Sequence, residues 1–304
     1  MGRDRGGAAS DTNWWRHRAD VMAFLLIANP SARGHEADLI SRTRRRLGDV
    51  DVVELQPDLD LAGTVHAAVE DGRVVIVAGG DGTVNAVVQH LGPAGVLAVL
   101  PAGRMNHFAR DLGIHDDDVA IQALVRGVVR RIDLGRCGQR WFVNNAAVGL
   151  YPEILREREE RAGRVGHYLA QAGAAIRAVR SAAPVTGVVT ADGDARSLEA
   201  WAVFVGNNDY EASGGRIGRR DRLDAGALDL WLLRLSPGPA GRRALALLLL
   251  RDRTWGSRVV RTRARRVELR LDAPRHFALD GELHDRIGSL EIELVPGALN
   301  VVAP

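Results

Sequence analysis

The residue types best suited to chemistry stand together in Gly79-Gly80-Asp81-Gly82-Thr83. Three glycines let the backbone adopt positive φ and let a ligand approach the main chain with no Cβ in the way. A helix beginning there would turn free N–H groups toward the same point, which makes the turn a seat for phosphate. Asp81 puts one carboxylate in the middle of that seat. Such a charge repels bare phosphate, so it implies a bridging Mg²⁺ or a proton to be abstracted. The plainer alternative is a tight strand-to-helix turn with a solvated acid.

These residues need a rigid frame, and the flanking sequence predicts one. Val74-Val75-Ile76-Val77 is apolar on both faces, as in a strand covered by helices on both sides. After the turn, Val84, Val87, Val88 and Leu91 follow helical spacing. Around this centre the pattern alternates: strand 23–28, helix 36–47, strand 50–55, helix 61–70, strand 96–100 and helix 119–127. Two further loops follow strand ends, Asn29-Pro30-Ser31-Ala32-Arg33-Gly34 and the stretch Pro101 to Gly113, so the loops share one edge of a parallel sheet. A dinucleotide-binding unit is disfavoured. Asn85 stands where its third glycine belongs, and the next strand ends in Leu100-Pro101 instead of an acid. From Ile132 the grammar changes to a hairpin reaching Asn145, one long helix at about 152–180, and strands near 185–190, 197–206, 227–235, 264–271, 275–280, 289–294 and 299–302.

Composition bounds the rest. At 304 residues and 46% apolar the chain suits two domains. A single cysteine, Cys137, excludes an internal disulfide and a cysteine metal cluster. All 41 basic residues are arginine, which excludes a lysine-bearing P-loop and Schiff-base chemistry. The wholly apolar run Ala244 to Leu250 is far short of the ~20 residues that span a bilayer. Residues 1–20 read as a disordered leader without the apolar segment of a signal peptide. Aromatics at 5% do not interleave with the arginines, so nucleic acid is not an expected partner. Nine arginines and one acid between Arg242 and Arg266 flank the leucine run and Trp255, a composition suited to an anionic bilayer surface. A core helix followed by an arginine-studded strand is the alternative reading of that stretch.

Six stretches, taken in order, carry a resemblance: Asn29-Pro30-Ser31, Gly79 to Asn85, Asn106 to Gly113, Asn144-Asn145, Gly206-Asn207-Asn208 and Asp280-Gly281-Glu282. Together they resemble the diacylglycerol kinase catalytic family, bacterial lipid kinases akin to sphingosine kinases and, more distantly, to NAD kinases. The resemblance implies a Rossmann-like, NAD-kinase-like α/β nucleotide domain with a parallel sheet over 21–130. A β-sandwich domain with one long helix, receiving the lipid, would follow over 131–304, its last strand a candidate to return to the first domain. It implies ATP on Asn29, Gly79, Gly80, Asp81, Gly82, Thr83, Val84, Asn85, Gly103, Arg104 and Asn106, with the active site in the cleft between the domains. Glu282 then accepts the proton of the lipid hydroxyl, and Asp81 meets Mg²⁺ through the nucleotide.

Phosphoryl transfer demands alignment, charge neutralisation and a nearby base more than covalent work, and these two acids suit those jobs. Departures from the family pattern are specific. Arg104 replaces a nucleotide-binding Thr, Leu55-Gln56-Pro57-Asp58 lacks another Thr, and Asp224-Ala225-Gly226-Ala227-Leu228-Asp229 has lost one carboxylate of a structural Mg²⁺ site, leaving Asp224 as a metal candidate. The expectation is an ATP- and Mg²⁺-dependent lipid kinase, cytoplasmic and peripheral at the inner membrane surface, with a homodimer compatible with the sequence. The alternatives are a catalytically weak nucleotide- and lipid-binding protein, or a soluble NAD-kinase-like enzyme.

Overall fold

The structure, a computed structural model, describes residues 23–30, 36–160, 177, 179, 182–213, 216–236, 238–251 and 258–304. The expected leader at 1–20 and most of the expected long helix after residue 160 lie outside the described residues. The chain divides into two compact units, one running to Arg131 and including Leu299–Pro304, the other Ile132–Ala298.

In the first unit, β1 (Phe24–Ala28), α1 (Glu36–Leu47), β2 (Val50–Glu54), α2 (Leu61–Glu70), β3 (Val74–Gly79), α3 (Asp81–Leu91) and β4 (Val96–Pro101) alternate. The short α4 (His107–Asp111) and α5 (Asp117–Arg126) follow. All strand pairs are parallel, in the order β2-β1-β3-β4. β1 and β3 are buried along their whole length, which is why both read as unbroken apolar runs. Asp60 and Asp116 cap α2 and α5, accepting from Gly63 and Val119 N–H at 2.9 Å each. The C-terminal residues complete this sheet: Asn300 and Val301 run parallel to Val96 and Leu97, and the Asn300 Nδ2 donates to the carbonyls of Pro93 and Gly95.

The second unit is antiparallel and fits a β-sandwich. It holds β5 (Val129–Cys137, entered from the first unit), β6 (Arg140–Phe142), β7 (Asn145–Gly149), α6 (Leu150–Glu159), β8 (Val185–Ala191), β9 (Asp194–Ala200), β10 (Ala202–Asn207) and the two-residue pair β11 (Ala212–Ser213) and β12 (Arg216–Ile217). Then come β13 (Leu228–Leu233), α7 (Gly238–Arg251), β14 (Val259–Ala264), β15 (Arg266–Leu279) and β16 (Glu282–Val302), whose last residues are those beside β4. β15 joins two sets of strands: its first half pairs with β8 and its last residues with β7, a change accommodated by register shifts around Arg275. Its core gathers Phe142, Val148, Val205, Leu230, Val267 and Ile292.

Several strand boundaries differ from the sequence reading. The stretch 197–206 is two strands broken at Trp201, whose ring is buried and whose Nε1 donates to Leu235 O at 3.2 Å. β14, over Val259–Ala264, is a strand separate from the one expected near 264–271. α7 followed by β14 is the helix and arginine-bearing strand of the alternative reading, and Leu245 of α7 is fully buried against Trp201 and Leu150. Among the described residues, no helix is long and apolar enough to cross a membrane.

Deleting Leu299–Pro304 removes the parallel partner of β4 and exposes the cavity left by Leu299, Val301 and Val302, which are 1%, 0% and 4% exposed. Urea unfolding is expected to show a loss of about 5 kcal/mol in the first unit. An unchanged midpoint would mean the returning segment contributes nothing.

Candidate active site

The order β2-β1-β3-β4 makes β1 and β3 neighbours whose onward connections leave in opposite directions. Open α/β sheets bind ligands in the crevice at the carboxyl ends of such a pair. Here Asn29 ties the two strand ends together. Asn29, just past β1, donates its N–H to Ala78 O at 3.0 Å and its Nδ2 to Thr83 Oγ1 at 2.9 Å. α3 starts at Asp81 with Gly80 as its N-cap and no side chain capping it, so the positive end of its dipole faces the crevice.

Glycine is required where the loops meet. A Cβ on Gly103 would lie 2.3 Å from Gly80 Cα, so the loops after β3 and β4 touch backbone to backbone. Asp81 fastens them: its two carboxylate oxygens accept the N–H groups of His107 and Phe108 at 3.1 and 2.9 Å, capping α4 from across the crevice. Asn106, at φ 49°, donates Nδ2 to Gly103 O at 2.9 Å. Its Oδ1 is buried with no protein partner, an acceptor suited to a donor on a bound nucleotide. A polar depression of about 330 Å³ opens beside it, lined also by Pro101, Arg110, His115 and Asp116.

The structure therefore brings Asn29, Gly79, Gly80, Asp81, Thr83, Gly103 and Asn106 together at one sheet edge. Gly82 and Arg104 are exposed there. Val84 and Asn85 point elsewhere: Val84 is core, and the buried Asn85 side chain accepts from Gln89 Nε2 one turn on. The Val84 N–H is also taken, donating to Gly80 O at 3.0 Å.

Glu282 belongs to the second unit, where it opens β16 directly after the turn Asp280-Gly281. Both turn residues have positive φ, 48° and 87°, the conformation of a tight two-residue hairpin. The exposed Glu282 is thus held on a rigid hairpin end, with the Tyr151 hydroxyl next to Gly281. Beneath it Asp280 anchors the turn, its carboxylate accepting from the N–H groups of Val143, Asn144 and Asn145 at 2.7, 2.7 and 2.9 Å. Arg220, 1% exposed, takes the other side of that strand end, donating to Val143 O at 2.6 Å, Asn207 O at 3.1 Å and Asn144 Oδ1 at 2.7 Å. Asp280 and Arg220 are the positioning residues that sequence reasoning missed. The Asp-Gly pair signalled only a turn, and nothing local marks Arg220.

The metal candidate does not fit. Asp224 is exposed and paired with Arg222 at 3.0 Å, and Ala225 carries no ligand atom on its side chain. Asp229 is fully buried but bound by Arg261 through both oxygens at 2.6 Å. No cluster of three His, Cys, Asp or Glu suited to a metal occurs among the described residues.

Burial moves two titrations furthest. Desolvation pushes the Cys137 thiol up to about 11, leaving it unreactive at neutral pH. Desolvation also pushes the Asp280 carboxyl up to about 6, against the opposing pull of three N–H donors and Arg220. The folded value lies above the ordinary 3.8, so the folded state holds the extra proton between those values. The stability contributed by this carboxyl accordingly declines as pH rises from about 4 to about 6 and is flat above. Urea unfolding across that window is expected to show the slope in the wild type and its loss in Asp280→Asn; an identical slope in both would remove Asp280 as its source.

Residues 23–137 match the diacylglycerol kinase catalytic domain, and residues 155–303 match the YegS C-terminal NAD kinase beta sandwich-like domain. A diacylglycerol kinase of Bacillus subtilis is 28% identical over 71% of this chain and 73% of its own. A Pseudomonas aeruginosa protein named "Probable lipid kinase YegS-like" is 30% identical over 92% of this chain and 94% of its own. Among solved structures, a diacylglycerol kinase from Bacillus anthracis superposes with TM-score 0.69 at 22% identity, covering 93% of this chain and 97% of that one. An NAD kinase from Archaeoglobus fulgidus in complex with ATP gives 0.55 at 16% identity, covering 92% and 93%. The two solved structures share its fold, and with its domain matches and near full-length relatives in agreement, the chain belongs to the diacylglycerol kinase family of lipid kinases, YegS-like members included.

Proposed function

We propose that the protein transfers the γ-phosphate of ATP to a hydroxyl of diacylglycerol or a related lipid at the surface of an anionic bilayer. The observation that carries this reading is the uncapped N-terminus of α3 at the β1–β3 crevice, where glycine backbone and the orphaned Asn106 Oδ1 meet. Phosphate oxygens suit that helix end, and a low Cβ density lets them reach it. Asp81 contributes by holding α4 against the phosphate loop, which keeps Asn106 in its left-handed conformation.

In the transfer itself, the Glu282 carboxylate takes the hydroxyl proton as the acceptor oxygen bonds to the γ-phosphorus. The bond from that phosphorus to the β–γ bridging oxygen breaks, and the electron pair leaves with ADP. Mg²⁺ arriving with the nucleotide supplies charge neutralisation on the transferring group. Glu282 suits its task through its place on a rigid hairpin, where the backbone is fixed by Asp280 and only side-chain rotamers vary. The exposed Arg104 side chain at the nucleotide loop is a cation of the right geometry for phosphate oxygens.

Phosphate transfer from labelled ATP into organic-extractable product, assayed with a lipid extract, tests the reading. Glu282→Gln is expected to lower kcat by at least about 10³-fold with the nucleotide KM within a few-fold. Asp81→Asn, which puts an amide donor against two N–H groups, is expected to raise the nucleotide KM as well. Label confined to the aqueous phase would favour a soluble acceptor such as NAD; full activity in Glu282→Gln would remove it as the base.

A further inference from the structure

We infer that the Arg220 guanidinium is the structural cation of the second unit, holding the Asn144–Asn145 strand end beside the Asp280-Gly281-Glu282 hairpin with no structural divalent ion in that unit. Its acceptors include two backbone carbonyls and an amide oxygen, Val143 O, Asn207 O and Asn144 Oδ1. Neutral hard oxygens of this kind also surround Mg²⁺ or Ca²⁺. The planar fork satisfies them from inside the protein, at 1% exposure, with the Tyr210 ring 5.2 Å from the guanidinium carbon.

Charge bookkeeping points the same way. Arg220 lowers the Asp280 carboxyl's pKa against the stronger effect of burial, so the two groups sense each other electrostatically. They grip opposite poles of one residue: Val143 gives its N–H to Asp280 and its carbonyl to Arg220. A divalent ion added beside this guanidinium would place three positive charges in a buried site with too few carboxylates to balance them. The carboxylates that could have balanced it are missing or spent. Position 225 is alanine, its N–H bound by Asn208 Oδ1 at 2.7 Å, while the neighbouring Gly226 N–H goes to Asp133 Oδ2 at 2.9 Å. Asp224 is paired outward with Arg222, and Asp229 is paired with Arg261. One loop has therefore lost its ligand at 225 in a unit that carries an internal cation at 220.

The divalent requirement is then confined to the nucleotide. Thermal unfolding of the wild type without nucleotide is expected to give one melting temperature in excess EDTA and in millimolar MgCl₂; a Mg²⁺-dependent rise of about 3 °C or more overturns the inference. Arg220→Met, of similar length but uncharged, is expected to melt about 6 °C or more lower, and Arg220→Lys between the two. A Met variant that melts with the wild type, or a Lys variant no better than Met, overturns it too. If the Met variant does not fold, the EDTA and Lys comparisons still decide. A kinetic arm rests on the kinase reading: turnover is expected to follow the Mg–nucleotide complex with no second activation by free Mg²⁺, and such an activation contradicts the inference. Absence of any turnover counts against the kinase reading alone, since the melting arms do not depend on it.

Discussion

Backbone lies against backbone where Gly80 meets Gly103, and the loop edge of the first unit depends on that contact. Any side chain at 103 would need space already held by Gly80 Cα, 2.3 Å from where its Cβ would stand. With the loops this close, one carboxylate can serve both: Asp81 begins α3 and also caps α4. Two helix starts and the left-handed Asn106 are thus coupled through a single side chain. An acid within a glycine turn at an uncapped helix start has its charge engaged by two N–H donors.

The second unit solves a parallel problem with a different device. A solvent-exposed acid such as Glu282 is useful only if its backbone is fixed, and a two-residue hairpin alone is a weak anchor. Asp280 supplies the missing rigidity by reaching into the end of β7 and the two residues before it. Three donors on one carboxylate favour the anion, yet burial wins and the proton is held more tightly than in water. Arg220 restores part of the balance from the opposite side.

Much of this architecture was legible where the physics is local. Buried parallel strands are continuous apolar runs, so Phe24–Ala28, Val74–Gly79 and Val96–Pro101 stand out, and the glycine turn follows because positive φ and close approach select one residue type. The long strands of the second unit were harder. β15 runs through Asp272-Ala273-Pro274 and β16 through Pro296-Gly297, breakers that ordinarily end a strand and here fall at register shifts or beside new partners. The Arg220–Asn144–Asp280 arrangement was invisible for another reason: its members are tens of residues apart, and each alone looks like a surface charge or a turn acid. Val84 and Asn85 mark the opposite limit, since a motif places them beside the ligand while helical periodicity turns their side chains inward.

An all-arginine chain changes what its basic stretch does. Between Arg242 and Arg266, Arg261 grips the buried Asp229, Arg263 pairs with Asp209, and Arg266 spans Glu268 and Glu291. Lysine would make such contacts as point charges, whereas the guanidinium fork reaches both oxygens of Asp229 and still stacks over Trp231 at 4.8 Å. The exposed pairs among these stabilise little, but they do neutralise charge. Attraction to an anionic surface scales with uncompensated charge within about 10 Å of it, and each of these three arginines has its charge paired. Of the three, Arg261 works as a clamp on a fully buried acid.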